Sequence, residues 1–261
     1  MRPVPVLMYH HISPHKGDMV TVTPGVFEGQ MRHLMHAGYR TLKIDEMMEL
    51  IEDKKPISEK AIIVTFDDGW LDNYIFAFPI LKKYGITATI FIVTDWVEKA
   101  SLTESQQTIS VPKHAEAKRL ATGSEAYKAM LNWKLIGEMA GSGLVEFYSH
   151  TKTHPRCDQL VEADLAVELG RSKRIIEEKL GKPCSYLCWP KGKYAESGVR
   201  VAKGIGYKAI FTTVPGVVTT DSDPFAVGRI VVKDGVGWFK KRLSIYTSPM
   251  FSRLYLRMKK R

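Results

Sequence analysis

Cysteine is scarce in this chain of 261 residues; Cys157, Cys184 and Cys188 are all it has. An odd number with no CxxC pair argues against a disulfide framework and against a thiolate zinc site. Reduced, partly buried thiols are expected instead. Long apolar runs are missing too, and nothing approaches the roughly 20 apolar residues that span a bilayer. The N-terminal stretch MRPVPVLMYHHI has one arginine and a short apolar run. It lacks the h-region and small-residue cleavage site of a signal peptide, so a cytoplasmic location is expected. Acidic residues vanish at the other end. From Trp238 to Arg261 there are eight lysines and arginines and no aspartate or glutamate.

What remains is ordinary for a soluble globular protein: 44% hydrophobic and 25% charged residues, enough for one large core. The net charge of +10 raises nucleic acid as a partner. Because the excess gathers at the end, no specific nucleic-acid binding is expected beyond what that segment contributes. Residues 238–261 mix Phe239, Leu243, Tyr246, Met250, Phe251, Leu254, Leu256 and Met258 with the basic residues. Two readings fit this amphipathic tail. It is a terminal helix docked by its apolar side, or it meets an anionic membrane surface at the inner face of the membrane.

The pattern along the chain predicts alternating strands and helices. VPVLMYHHI (4–12) reads as a buried strand, and a helix follows with Thr23 as N-cap and Gly38 as its stop. A short strand and an amphipathic helix come next, then the strand AIIVTFDD (61–68), a helix ended by Gly85, and the strand TATIFIV. Strand, helix, strand in that order predicts a parallel βαβ unit. Residues 98–129 turn polar and irregular, as an excursion between core elements. Periodicity resumes with a helix at MLNWKLIGEMAG and continues through LVEFYSH, EADLAVELGRSKRIIEEKLG, SYLCWP, ESGVRVAKGIG, KAIFTT and FAVGRIVV. A single α/β domain over residues 1–237 is predicted, its mostly parallel sheet closed or partly closed as a barrel.

Three of these strands end in ionisable residues: His10 and His11, Asp67 and Asp68, and His150 with His154 four residues on. In parallel α/β folds such endings converge on one face. A strand-end carboxylate joined by two imidazoles from SHTKTH, at helical i, i+4 spacing, makes a three-ligand site. Three protein ligands and one open position are the pattern of a catalytic zinc centre. The other aspartate, beside the ion, could take a proton from attacking water, with Gly69 turning the backbone so that both reach one cleft. Taken alone, DDG is more often a turn, and HxxxH is common on surfaces.

Together, TFDDG (65–69) and SHTKTH (149–154) resemble the first two motifs of the polysaccharide deacetylases, carbohydrate esterase family four, which share a homology domain with chitooligosaccharide deacetylase. The resemblance runs from VLMYHHI to VGRIVV and implies a distorted (β/α) barrel. It also implies a divalent metal, zinc first with cobalt, nickel or manganese as alternatives, and hydrolysis of an N-acetyl group on an amino sugar. Carried over, Asp68, His150 and His154 hold the metal and Asp67 is the general base. CWPKG (188–192) stands where the third motif has arginine-proline-proline-tyrosine-glycine, so the backbone N–H of Lys191 would face the oxyanion.

Two departures follow from the same comparison. Cys188 occupies the arginine position, and Arg229 in VGRI is the candidate replacement for orienting Asp67; a structural salt bridge is the alternative. No histidine follows His154, so the usual C-terminal general acid is missing. The opening LMYHHIS is similar to the poly-N-acetylglucosamine deacetylase branch, which points to His10 as the acid and leaves His11 structural. Trp70, Trp189, Pro190 and Tyr194 are candidates for walls that stack on a sugar ring, with core packing as the competing reading. The implied activity is removal of acetyl groups from an acetylated glycan or glycolipid. The alternatives are an O-acetyl esterase or deformylase acting on a lipid-linked sugar, and an inactive glycan-binding barrel.

Overall fold

The structure, a computed structural model, describes residues 2–103 and 111–259. The chain opens with β1 (Val4–Tyr9), a one-residue break at His10, β2 (His11–Ile12) and β3 (Thr21–Val22). Then come α1 (Pro24–His36), β4 (Arg40–Thr41) and α2 (Ile44–Glu52). Pro24 starts α1 because a first-turn residue needs no N–H partner. Next are β5 (Ala61–Asp68), a π-helical turn at Asn73–Ala77, α3 (Phe78–Tyr84), β6 (Ala88–Ile92) and α4 (Thr94–Ser101). Gly85 ends α3 in the left-handed conformation. The second half runs α5 (His114–Ala121), α6 (Trp133–Gly141), β7 (Val145–Ser149), α7 (Glu162–Leu180), β8 (Tyr186–Cys188) and α8 (Glu196–Gly204). It finishes with β9 (Ala209–Phe211), β10 (Val217–Val218), β11 (Ile230–Val231), α9 (Val236–Tyr246) and α10 (Pro249–Lys259).

The strands β1-β5-β6-β7-β8-β9 lie side by side and parallel. The sheet curls because the segment before β11 touches both ends of that row. Val227 bridges Phe211 of β9, and Ile230 pairs in parallel with Leu7 of β1. The result is a distorted barrel with helices outside, whose short antiparallel β10 pairs with the start of β1. Every residue of β1, β5 and β6 is buried, as expected for parallel strands covered on both faces. The common strand direction carries the ends of β1, β5, β7 and β8 to one side of the sheet.

The excursion at 98–129 differs from its expected irregular form. Residues 104–110 of it lie outside the described residues. The remainder is helical, and Ala117, Leu120, Ala121, Ala126, Ala129 and Met130 form a second small core with Trp70, Val93, Trp96 and Ala100. Alanines line its inner side, so the segment packs without the large apolar residues that make periodicity visible. The tail divides in two. Phe239, Leu243 and Tyr246 bury one face of α9, while α10 leaves Met250, Phe251, Leu254 and Met258 exposed. Among the described residues, no helix is long and apolar enough to cross a membrane.

Candidate metal and catalytic site

Strand alternation would send Asp67 and Asp68 to opposite faces. The backbone prevents this by leaving the extended region at Asp68 itself (φ 76°), one residue before the glycine expected to turn, and again at Gly69 (φ 85°). A Cβ at position 69 would sit 2.9 Å from Ile92 Cγ2, so glycine is required there for space as well as conformation. Both carboxylates are buried.

His150 follows β7 and donates its backbone N–H to Ile92 O at 2.8 Å. Its Nδ1 lies 2.8 Å from Cys188 O. A carbonyl only accepts, so Nδ1 carries a proton and Nε2 is turned toward Asp68 Oδ1 at 3.4 Å. His154 Nε2 reaches the same oxygen at 3.3 Å. The two histidines do not share a helical turn as their spacing suggests. They converge through a loop in which Thr151 (φ 67°) and His154 (φ 62°) are left-handed. Ser149 Oγ accepts from the Thr151 N–H, and Thr151 Oγ1 accepts from the His154 N–H, displacing the helical bonds. Of five non-glycine residues with positive φ among those described, four (Asp68, Thr151, His154 and Lys191) belong to these motifs. Strain of this kind gathers where a geometry is over-determined by its surroundings.

The donors of Asp68, His150 and His154 lie within 4.8 Å of one another. Asp68 Oδ2 accepts the indole N–H of Trp70 at 3.0 Å, but Oδ1 is buried without a hydrogen-bond partner. Burial opposes charge on Asp68, yet the two imidazoles outweigh it and hold the carboxyl well below its ordinary range. A charged oxygen without a hydrogen-bond partner and two imidazole nitrogens converge there. Burial opposes charge on His150, but the neighbouring Cys188 and aspartates outweigh it and raise its pKa; a bound cation would take the place of that proton. A carboxylate and two imidazoles with one open position are the donor set of a zinc-type cation.

Asp67 has the opposite surroundings. Arg229, fully buried, meets it with a two-pronged contact: Nη1 to Oδ1 and Nη2 to Oδ2, each 2.7 Å. The other guanidinium donors go to Thr212 O at 2.9 Å, Thr65 Oγ1 at 3.1 Å and Cys188 Sγ at 2.9 Å. All five N–H groups of Arg229 are thus used. Cys188 Sγ also lies 3.8 Å from both Asp67 oxygens. The small thiol at the end of β8 makes room for a guanidinium that arrives from beside β11. Burial works against the Asp67 charge, but Arg229 holds its pKa below the ordinary value of 3.8.

His10, at the break between β1 and β2, points Nε2 at Asp67 Oδ2 from 3.9 Å, with 21% of its side chain exposed. Burial lowers its pKa from 6.5, against the pull of both aspartates, so at neutral pH it is uncharged. Lys191 has φ 58°, and its two neighbours turn back so that Gly192 N–H donates to Trp189 O and Lys193 N–H to Pro190 O.

The proposed sugar walls need correction. Trp70 and Trp189 are 1% and 0% exposed and Pro190 is buried, so none offers a face to a sugar ring. Trp70 is consumed by its bond to Asp68 and by stacking on His11 at 4.4 Å. Trp189 stacks on Tyr194 at 5.4 Å, and only Tyr194 of the four keeps partial exposure.

The structure adds a group that the sequence reading left aside. Asp72 accepts from His11 Nδ1 at 2.6 Å, from Ile12 N–H at 3.3 Å and from Asn73 Nδ2 at 2.9 Å. His11 then meets His114 of α5 at 3.0 Å and lies flat on Trp70, whose indole holds Asp68. Trp96 packs its ring 5.2 Å from that of His154. The one sequence signal was a third acid, Asp72, following the DDG pair at helical spacing.

Comparison with known proteins agrees with this arrangement. The family model for polysaccharide deacetylase matches residues 54–210. The Bacillus subtilis (strain 168) protein YxkH, a provisionally assigned polysaccharide deacetylase, is 33% identical over 235 residues, covering 89% of this chain and 72% of that protein. The poly-beta-1,6-N-acetyl-D-glucosamine N-deacetylase of Escherichia coli (strain K12) is 23% identical over 257 residues, 87% of this chain but 36% of that protein. The chain thus spans about a third of the E. coli relative. A Streptococcus pyogenes deacetylase, PplD, solved in complex with acetate, has the same fold, with a TM-score of 0.78 at 24% identity over 95% of this chain and 99% of that one. With its motifs on one side of a distorted barrel and 33% of its aligned residues shared with YxkH, this chain belongs to the polysaccharide deacetylase family.

Proposed function

We propose that the protein is a metal-dependent N-deacetylase acting on an acetylated amino-sugar glycan. The observation that carries this reading is the unequal treatment of two neighbouring carboxylates. Asp67 is saturated by Arg229, whereas Asp68 Oδ1 is left bare between two imidazoles. Asp68, His150 and His154 would hold the cation, zinc first, and its Lewis acidity would polarise the acetamide carbonyl and acidify water. Asp67, kept as a carboxylate by Arg229, is the base for that water. Arg229 spends every donor on fixed partners, so it orients Asp67 and is not free to hold substrate.

His10 faces the same carboxylate at 3.9 Å and is uncharged at neutral pH. It therefore accepts the proton that Asp67 takes from water and delivers it to the departing amine, so that both groups end the cycle as they began. The backbone N–H of Lys191, in a left-handed turn after β8, is assigned to the developing oxyanion. The relatives that act on poly-beta-1,6-N-acetyl-D-glucosamine support an amide-linked acetyl group over an ester.

The test is acetate release from partially acetylated poly-N-acetylglucosamine, from chitooligosaccharides and from O-acetylated glycan, before and after chelation. Release from the N-acetylated polymers that stops on chelation and returns with zinc is the expected result. Release from the O-acetylated glycan alone would assign the protein as an esterase. No release from any of them by metal-loaded protein would overturn the deacetylase reading.

A further inference from the structure

We propose that α10 is an interfacial helix that seats this protein on the surface of an anionic lipid bilayer. The inference does not rest on the deacetylase reading. It comes from how the two C-terminal helices divide their apolar residues. In α9, Phe239, Leu243 and Tyr246 are buried; the helix packs on α1 and β1, and Tyr246 also meets Tyr255 of α10. In α10 the division is reversed. Ser252 is the buried residue, while Met250, Phe251, Leu254 and Met258 are 68%, 52%, 57% and 60% exposed.

At about 100° per residue these four apolar residues fall within one arc of roughly 100° on the helix surface. Ser252 lies on the opposite side, and Tyr255 flanks it where its ring packs against Tyr246 and under the Arg242 guanidinium. The helix is therefore fixed through its small and aromatic side and offers its large aliphatic side outward. The charge beside that face has one sign. Arg253 is exposed, and no carboxylate among the described residues pairs with it. Asp234, the last acid in the chain, is engaged by the N–H and hydroxyl of Thr23. Lys240 and Lys241 are exposed on α9, and the sequence ends in MKKR.

An apolar stripe with the exposed, unpaired Arg253 on its own helix, in a segment that holds no acid after Asp234, matches a surface with anionic headgroups above an acyl interior. It matches a second copy of this chain less well, because that copy would bring a second basic segment without a single acid after Asp234. Depth and charge act together in this arrangement. The aliphatic side chains enter the headgroup boundary, and the cations stay at the phosphate level.

The experiment uses the full chain with two sets of sedimented vesicles, phosphatidylcholine alone and phosphatidylcholine mixed with phosphatidylglycerol. Partitioning onto the anionic vesicles is expected to be at least about tenfold stronger and to weaken as salt is raised. The double variant Phe251→Glu/Leu254→Glu should lose it, and Arg253→Glu should lower it by roughly fivefold or more. Both variants alter exposed side chains and should keep the circular dichroism spectrum of the parent. Activity on a soluble oligosaccharide should also be unchanged, which separates failure of this proposal from failure of the catalytic reading. Equal sedimentation of parent and double variant would overturn the proposal. So would a parent that ignores anionic vesicles, or a dimer in light scattering that the double variant breaks.

Discussion

Asp67 is surrounded by donors and Asp68 is nearly without them, although they are neighbours at the end of one strand and both are buried. The difference is set by what each side of the barrel sends to that strand end. From the β8 and β11 side come a thiol and a guanidinium with every donor committed. From the loop after β7 come two imidazoles that face a bare oxygen of Asp68, and from the turn after β5 an indole that satisfies the other. A carboxylate with matched counter-charge stays ionised, as the proposed base must. In the proposed reading, the carboxylate with a bare oxygen is the metal ligand. Opposite surroundings thus give two identical side chains different chemistry, and each half of the contrast can be broken separately.

The largest expected effect comes from exchanging each aspartate for its amide. Asp67→Asn should retain stoichiometric zinc and lower kcat by about 10²–10⁴-fold, the range for losing a positioned base. Asp68→Asn should lose the zinc itself, read by metal analysis after gel filtration. Full activity in Asp67→Asn, or full zinc content in Asp68→Asn, would erase the division of roles.

Removing the counter-charge is the next step down. Arg229→Met leaves Asp67 buried and unpaired, which should cost about 3–5 kcal/mol in a denaturant titration. Burial already raises the Asp67 pKa and Arg229 reverses it, so the variant's carboxyl should protonate at higher pH. The acid limb of kcat/KM should therefore move upward. Arg229→Lys keeps the charge but loses the fork, and it should recover part of the stability with little of the activity. An acid limb that stays in place in both variants would mean that Arg229 is structural.

On the Asp68 side the equivalent support is weaker and so is the expected effect. Trp70→Phe keeps the ring that packs on His11 but deletes the N–H held by Asp68 Oδ2. Zinc affinity, measured by chelator competition, should fall roughly 10–100-fold, as for other groups that orient a metal ligand. An unchanged affinity would show that Asp68 needs no such anchor.

Which of these features can be read in the sequence follows from what signals burial. The strands of the barrel are legible because parallel strands covered on both faces read as unbroken apolar runs, as AIIVTFDD does. The convergence of Asp67, Asp68, His150 and His154 is legible because motif residues at strand ends share a side. How they converge is not. The left-handed residues at Asp68, Thr151 and His154 depend on hydroxyl and strand contacts that spacing does not encode. Arg229 stands out as a lone charge in an apolar strand, but its partners come from β5, β8 and β9. Trp70 and Trp189 misled for the converse reason, since an aromatic beside a catalytic motif looks the same whether it lines a cleft or fills a core. The small core around Trp70 and Trp96 is built from alanines and gives no periodic signal.

The smallest effect concerns the layer behind Trp70, where the link between α5 and the Asp68 side can be titrated. Burial alone would lower the pKa of His11, but the charge and hydrogen bond of Asp72 outweigh it and raise it above 6.5. A raised folded-state pKa contributes stability that is complete below 6.5 and disappears as pH climbs through the raised value. His114 is shifted the other way, by burial first and by the nearby His11 second, so it serves as the neutral acceptor of the His11 Nε2 proton. In chelator-treated protein, Tm should therefore decline by a few degrees as pH rises from 6.5 into the alkaline range, with His150 adding to the decline because its pKa is also raised, and with about 2–4 °C lost per kcal/mol for a domain of this size. His11→Gln should be less stable at pH 6 and should flatten that decline. If the parent and His11→Gln keep a constant difference in Tm across this range, the Asp72–His11–His114 chain is packing alone and does not tie the small core to Asp68 through a charge.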